Sequence, residues 1–495
     1  MDAKKMKVYK FGGTSVGTAK RMAEVARIIG SDPAPKIVVL SAMAGTTNTL
    51  VEMCDLCYAE KAPKAREIAA GLRRKYLEVI EELYRKGDTK QQARDFVQGK
   101  FDALEGYLTD YFVIQDEKSV LSFGELLSTE LFHMYLRENG VGSVLIPALS
   151  FMRTDRLGEP DMYYIAQNLQ AKLEANPDTE LFITQGYICL NAWGEVDNLR
   201  RGGSDYTATI IGAAIKASEV QIWTDIDGLH DNDPRVVENT APVEMLSYTE
   251  AEELAYFGAK ILHPLCVIPA HNAGVPVWLK NTLDPKAHGT LICSDYGKGG
   301  VKAIAAKDGI IAIKIQSGRM MMAYGFLRRI FEIFERYRTP IDMITTSEVA
   351  VSLTIDDDNY LSRIVSELRE FGIVSVDKDQ TFFDLGILPQ DSDVRHPVAH
   401  VLRNIGIAQV QHFQREVRRL GHQLVRTVVD RDTALFEQVQ GVFVQTSRLL
   451  DSDLQISHFA FVYKISPVFP RAADYEKTRH GNRRVVGYLS YSDTA

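Results

Sequence analysis

Cysteine and tryptophan are scarce in this 495-residue sequence, at five and three. No stretch approaches the roughly 20 consecutive apolar residues that a bilayer-spanning helix needs. The cysteines are odd in number and scattered, apart from Cys54 and Cys57. That argues against a disulfide framework and suits a reducing cytoplasm. Cys54-Asp55-Leu56-Cys57 has no second pair and no nearby histidine to complete a tetrahedral zinc site, so the two thiols read as packing groups on a helix face. Positive charge is in deficit: 57 Lys and Arg stand against 65 Asp and Glu, a net charge of -8. Such a chain has no global pull towards nucleic acid or an anionic membrane, so any polyanion site must be local. The first ten residues are charged and run straight into strand-like Val8-Tyr9, without the apolar core of a secretory signal.

What is present is an alternation of strand-like and helix-like segments. Lys36 to Leu40, Leu181 to Thr184 and Val220 to Trp223 are short apolar runs that read as buried strands. Val275 to Leu279 is weaker, because Pro276 favours a strand start or an edge. Ala19 to Ile29 and Ala208 to Ala217 are amphipathic. The pattern predicts a largely parallel sheet with helices on both faces. Residues 60–115 are charge-rich with helical spacing and read as a helical insertion on that sheet. Near residue 300 the pattern becomes strand, helix, strand, helix, strand, through Ile310 to Ile315, Phe326 to Phe334, Ala350 to Ile355, Leu361 to Phe371 and Ile373 to Val376. That predicts a small ferredoxin-like α+β unit.

Five motifs carry chemistry. Lys10-Phe11-Gly12-Gly13-Thr14-Ser15-Val16 ends a strand in adjacent glycines. Without Cβ atoms in the way, backbone N–H groups can turn inward as a phosphate nest, and Lys10 adds a point charge. Neither GxxxxGK[ST] nor GxGxxG is met. Arg200-Arg201-Gly202-Gly203-Ser204-Asp205-Tyr206-Thr207-Ala208 precedes a helical stretch. Arg201 can fork onto a carboxylate, and Asp205 can orient Lys10 or take part in magnesium coordination. A helix cap would explain Ser204 or Asp205, but not the glycines and arginines as well. Thr224-Asp225-Ile226-Asp227-Gly228 through Asp233-Pro234-Arg235 is an acidic loop at a strand end that does not meet the EF-hand spacing. Ser122-Phe123-Gly124-Glu125-Leu126-Leu127-Ser128 and Phe257-Gly258-Ala259-Lys260-Ile261-Leu262-His263-Pro264 are weak singly, a solvated glutamate and a helix-terminal lysine.

In this order and spacing, together with Ser41-Ala42-Met43-Ala44-Gly45-Thr46-Thr47-Asn48, the motifs resemble the aspartate kinases of the amino acid kinase family over residues 7 to about 380. The resemblance implies a three-layer αβα amino acid kinase fold with a mostly parallel sheet, followed by a ferredoxin-like ACT unit. It implies an ATP-dependent, cytoplasmic phosphotransferase acting with Mg2+ on the side-chain carboxylate of L-aspartate. Lys10, Gly12 and Gly13 would hold the phosphates, and Ser41 would lie near the transferring group. Thr47, Glu125, Arg201 and Ser204 would hold aspartate, and Asp205 would organise the transfer. Thr224, Asp225, His230, Arg235 and Lys260 would serve the nucleotide. Two departures stand out: His230, where the family often has Tyr, and Arg200 within Asp197-Asn198-Leu199-Arg200, where Thr-Thr-Leu-Gly is commoner.

The implied organisation is a catalytic domain over 1–298, an ACT regulatory domain over 299–385 and an atypical tail over 386–495. Met320, Gly325, Phe326, Leu327, Ile341, Asp342, Ser347 and Glu348 match the family's lysine- or threonine-binding loops, with homodimerisation through paired ACT units. The tail matches no second ACT unit. Lysine nearly vanishes there, and His396, His400, His412, His422, His458 and His480 fall in it without the spacing of a compact metal site. The abrupt change suggests that the gene is read in a shifted frame after about Thr381; a genuine, unfamiliar tail is the alternative. Other kinases of this fold (glutamate, acetylglutamate or nucleoside monophosphate kinases) are the near rivals, and a non-catalytic amino-acid sensor is the distant one. Intact Lys10, Gly12, Gly13 and Asp205 speak against the sensor. A homoserine dehydrogenase fusion lacks its GxGxxG.

Overall fold

The computed structural model describes residues 6–199, 202–234, 240–256, 262–294, 301–317, 324–346, 349–387, 459–464 and 484–489. The described residues fall into two compact units, one within 1–230, 242–256 and 260–297, the other within 231–241, 257–259 and 298–495.

The first unit opens with β1 (Lys7–Phe11), α1 (Ala19–Ser31) and β2 (Lys36–Leu40). Thr18 stops the β1–α1 loop by accepting the Arg21 N–H at 3.3 Å, an N-cap that fixes where α1 starts. Four helices follow, α2 (Thr46–Tyr58), α3 (Ala62–Leu83), α4 (Gly87–Tyr107) and α5 (Ile114–Glu138). The expected helical insertion is thus the α3–α4 hairpin. Ala65, Ala69, Leu72, Tyr76, Val79, Ile80 and Leu83 recur at three- and four-residue spacing and enter the core. Cys54 and Cys57 lie in the same core at 2% and 1% exposure, and burial pushes the Cys54 thiol up to about 12. They are packing groups, as the spacing suggested.

Then come β3 (Val144–Leu145), α6 (Met162–Glu174), β4 (Leu181–Gln185), β5 (Ile188–Leu190), β6 (Val196–Asn198), α7 (Gly203–Ala214), β7 (Glu219–Thr224), β8 (Met245–Ser247), α8 (Tyr248–Tyr256), α9 (Ile268–Ala273), β9 (Val277–Asn281) and β10 (Thr290–Cys293). Eight strands form one sheet in the order β3-β4-β2-β1-β7-β9-β10-β8. Every neighbouring pair is parallel except β9 with β10. The central strands are buried along nearly their whole length, as expected of a parallel sheet covered on both faces. Pro276 sits just before β9, so its missing N–H costs the ladder nothing.

The second unit contains β11 (Val301–Gln316), α10 (Phe326–Arg336), β12 (Met343–Thr346), β13 (Ala350–Ile355), α11 (Leu361–Leu368), β14 (Ile373–Ile387), β15 (Phe459–Lys464) and β16 (Arg484–Leu489). Its sheet runs β12-β13-β11-β14-β16-β15. The first four strands with α10 and α11 make a βαββαβ unit, all antiparallel. The sequence pattern missed β12, because Met343 to Thr346 is only half-buried to exposed and lies at the sheet edge. β11 and β14 also extend beyond the expected segments, pairing from Val301↔Ile387 to Gln316↔Ile373. β16 adds to β14 in parallel through Gln380↔Arg484 to Leu385↔Leu489. Residues 388–458, which hold most of the expected tail, lie outside the described residues.

Candidate active site

β1, β2, β4 and β7 run parallel and in register, with Phe11 beside Leu40 and Trp223, and Leu40 beside Gln185. Their following loops therefore gather at one carboxyl edge of the sheet, where ligands sit in open α/β folds. A cleft of about 370 Å³ opens there. It is lined by Lys10 and Gly13 of the first loop, by Ser41 to Gly45, Thr47 and Asn48 of the second, by Glu125 and Tyr187, and by Gly202 to Asp205.

The first two loops interlock. The Gly12 N–H donates to the Trp223 carbonyl at 3.3 Å, and the Ala44 N–H donates to the Gly13 carbonyl at 3.1 Å. A Cβ on Gly13 would stand 2.8 Å from the Ala42 carbonyl oxygen, so only glycine permits this approach. Lys10 is 7% exposed, and its Nζ lies 2.6 Å from Asp205 Oδ1. The contact is an ion pair without hydrogen-bond alignment. Asp205 occupies the first turn of α7, where the helix dipole favours a carboxylate.

The Ser122 to Ser128 motif lies inside α5 and supplies Glu125 to the cleft lining. A Cβ on Gly124 would meet the Ala42 Cβ at 2.7 Å and Thr46 Cγ2 at 3.3 Å, so the second loop rests directly on this helix. Ser128 Oγ donates to the Ser41 carbonyl at 2.7 Å. Glu125 is 3% exposed; its Oε1 accepts the Ala42 N–H at 3.2 Å, and its Oε2 has no partner. Burial pushes its carboxyl up to about 8, against the opposing pull of that backbone hydrogen bond.

The third wall is the β4–β5 corner against the start of α7. A Cβ on Gly186 would stand 2.5 Å from Ser204 Oγ, and one on Gly203 would stand 2.4 Å from Tyr187 Cδ2. Gly202 has φ +76° and abuts Cys266 and His263, which carry on from the Lys260 motif. Tyr187 itself has φ 67°, a left-handed conformation that costs a non-glycine residue free energy. Its N–H donates to Thr207 Oγ1 at 2.9 Å and its carbonyl accepts from Leu199 N at 2.7 Å, which hold the strained turn. Sequence reading missed Tyr187. Its only linear signal is its place directly after Gly186 at the end of a buried strand.

The structure thus brings Lys10, Gly13, Ser41, Thr47, Glu125, Ser204 and Asp205 into one cleft, with Gly12 adjoining Lys10. Thr224 and Asp225 lie at and just beyond the end of β7, beside the first loop rather than among the cleft lining. Thr224 Oγ1 accepts the Ile226 N–H at 3.2 Å. His230 Nε2 lies 2.6 Å from Asp227 Oδ1. Arg201, Arg235 and Lys260 lie outside the described residues, as do Met320, Ser347 and Glu348. In the second unit Gly325 has φ +80° before α10, Phe326 is buried in the apolar core and Leu327 is exposed. Ile341 packs against that core. The Asp342 side chain is 6% exposed, with the Lys307 ammonium 3.7 Å away in the same unit. No helix among the described residues is long and apolar enough to cross a membrane.

The profile of the amino acid kinase family matches residues 5–281. The chain is 37% identical to the lysine-sensitive aspartokinase 3 of Escherichia coli, over 70% of this chain and 78% of that one. It is 34% identical to the chloroplastic aspartokinase 3 of Arabidopsis thaliana, over 81% of this chain and 75% of that one. The crystal structure of E. coli aspartokinase III in complex with aspartate and ADP superposes with a TM-score of 0.66, at 34% identity, over 75% of this chain and 85% of that one.

Proposed function

The chain belongs to the amino acid kinase family and, within it, to the aspartokinases, and from this we infer how its cleft is used. ATP gives its γ-phosphoryl group to the side-chain carboxylate of L-aspartate, forming 4-phospho-L-aspartate. Transfer of this kind asks the protein for positioning and charge neutralisation rather than for a covalent intermediate.

One observation carries the assignment of ends. Glu125 is buried with an unpartnered Oε2 in the same cleft as the Lys10–Asp205 pair. A buried carboxylate oxygen without a partner suits an ammonium, and the cation beside the glycine loop suits phosphate oxygens. The α-amino end of aspartate then lies on Glu125, with Thr47 and Ser204 as hydroxyl contacts and Arg201 forking onto the α-carboxylate. The side-chain carboxylate points to Lys10, whose ammonium draws negative charge from the phosphoryl group in flight. Gly12 and Gly13 present backbone N–H groups to the phosphates, and Ser41 stands beside the transferring group. Thr224, Asp225, His230, Arg235 and Lys260 hold the nucleotide. Asp205 fits Mg2+: a half-buried carboxylate at the cleft, next to where the phosphates come, matches an ion that takes one or two carboxylates and completes its shell with phosphates and water. Bound there, Mg2+ would offset phosphate charge.

A coupled assay with aspartate, glutamate and acetylglutamate as acceptors tests the reading. We expect turnover with aspartate about 10- to 100-fold above glutamate, because one extra methylene misplaces the side-chain carboxylate relative to Lys10 when the amino acid end is held on Glu125, and still further above acetylglutamate, whose amine is blocked. Turnover of glutamate and not aspartate would overturn it. The likeness to a lysine-sensitive relative supports lysine, ahead of threonine, as the effector of the second unit, with Gly325, Leu327, Ile341 and Asp342 near its site. Homodimerisation through these units and a cytoplasmic setting complete the reading. Inhibition by lysine and sedimentation as a dimer are the measurements that check them.

A further inference from the structure

The α3–α4 insertion has no residue among those assigned to substrate or nucleotide, yet it touches the loop that carries them. Lys75 and Tyr76 are consecutive residues of α3, so their side chains leave the helix about 100° apart. Lys75 Nζ donates to the Ala44 carbonyl at 2.8 Å, at the rim of the cleft. Tyr76 OH bonds Thr46 Oγ1 at 3.1 Å, and both residues are 0% exposed. Tyr76 is fixed from behind by an edge-on contact with Phe101 of α4, 6.1 Å between ring centres. Between the two anchored residues lies Gly45, at φ +81°. The Ala44 unit is held on both sides, its N–H by Gly13 and its carbonyl by Lys75. Next to this braced segment come Thr47 and Asn48, which face the cleft.

We propose that Lys75 and Tyr76 form a two-point latch through which the helical insertion positions residues 42–48 for the acceptor amino acid. They are positioning residues and touch no substrate. The latch rests on the proposed acceptor site but has its own physical reason. A left-handed glycine between two anchors is the point where the segment would otherwise pivot, displacing the Ala42 N–H from Glu125 and Thr47 from the acceptor. Burial makes the Tyr76 bond hard to replace, because losing the phenol leaves the Thr46 hydroxyl unpaired in the core.

The test uses the full chain with Lys75→Met, Lys75→Arg, Tyr76→Phe and the double variant Lys75→Met/Tyr76→Phe. We expect Lys75→Met and Tyr76→Phe each to raise KM for aspartate about tenfold while kcat and KM for ATP stay within about twofold. Lys75→Arg should restore the wild-type KM, because the donor is kept. The double variant should rise by less than the product of the two, since both anchors hold one segment. Tyr76→Phe alters no charge, so a matching effect separates bracing from attraction of an anionic substrate. Amide hydrogen exchange over residues 42–48 is read in parallel and is independent of turnover. Exchange about tenfold faster in both single variants supports the latch. Unchanged exchange, or a KM for aspartate within twofold of wild type in both, removes it. Absence of aspartate turnover in the wild type would instead sink the proposed function, and exchange would still decide the latch.

Discussion

At the scale of single residues, the least ordinary group is Glu125, whose carboxyl is pushed up from 4.5 to about 8 by burial. Two consequences follow with definite signs. Pairing with the ammonium of aspartate requires the carboxylate, so binding must strip the proton. KM for aspartate should fall by up to about tenfold per pH unit between pH 6 and 8 and level off above. KM for ATP should not follow, and Glu125→Gln should flatten the profile; a flat wild-type profile would remove Glu125 from the ammonium site. For stability the sign is opposite. The folded state keeps a proton that the unfolded state releases, so this contribution is full below pH 4.5 and is lost as pH rises through about 8. Lys10 gives a second prediction. Lys10→Ala should lower kcat at least about 100-fold, because a preorganised charge on the phosphoryl group is lost. Circular dichroism should show the fold retained. Near-normal kcat would take Lys10 out of the transfer step. Both residues stood out in the sequence by motif, but the orphaned Oε2 of Glu125 did not, because a helical glutamate is ordinarily solvated.

At the scale of elements, the cleft depends on close approaches that only glycine allows, and α5 shows the balance of terms. Gly124→Ala should gain about 1 kcal/mol of helix propensity. The new methyl group would stand 2.7 Å from the Ala42 Cβ, and overpacking of that kind costs about 1–3 kcal/mol. The second term is the larger, so Tm should fall and KM for aspartate should rise as the second loop lifts off the helix. A raised Tm with unchanged KM would show that the loop has room to move. The elements themselves were largely legible. Continuous apolar runs marked β2, β4 and β7, and three- and four-residue spacing marked α3, α10 and α11. β12 was not legible, because a short, half-exposed edge strand leaves little hydrophobic period to read. Tyr187 was not legible either, because its left-handed backbone is held by its hydrogen bonds with Leu199, which donates, and Thr207, which accepts, both distant in sequence.

At the scale of the whole molecule, every described residue lining the cleft lies between Lys10 and Asp205. A chain ended after Ile387 should therefore keep kcat within about twofold of the full chain, since none of its positioned groups is removed; the coupled assay decides. Loss of turnover on that truncation would mean that the remaining 108 positions, 388–495 of 495, support the catalytic unit. Translating the other two reading frames of the gene from Thr381 onwards separates the two origins of that tail. A strand–helix–strand pattern resembling a second ACT unit in either frame supports the shift, and its absence in both ends it. The paired β15 and β16 against β14 do not bear on that choice, because the alternation of apolar residues that forms a strand occurs readily in either case.

The sequence by itself determined the chemistry on offer. A lysine before two glycines, a carboxylate behind Arg-Gly-Gly-Ser and a hydroxyl-rich second loop are local patterns, and local patterns survive in one dimension. It also determined the layered architecture, because burial on both sheet faces writes continuous apolar strands. Only the tertiary structure decided that Glu125 is dry, that Lys10 rests on Asp205, and that α3 reaches back to bond Ala44 and Thr46. Those facts depend on contacts between segments from 30 to nearly 200 residues apart. Such contacts are set by how the helices cover the sheet, and no single stretch of sequence encodes them.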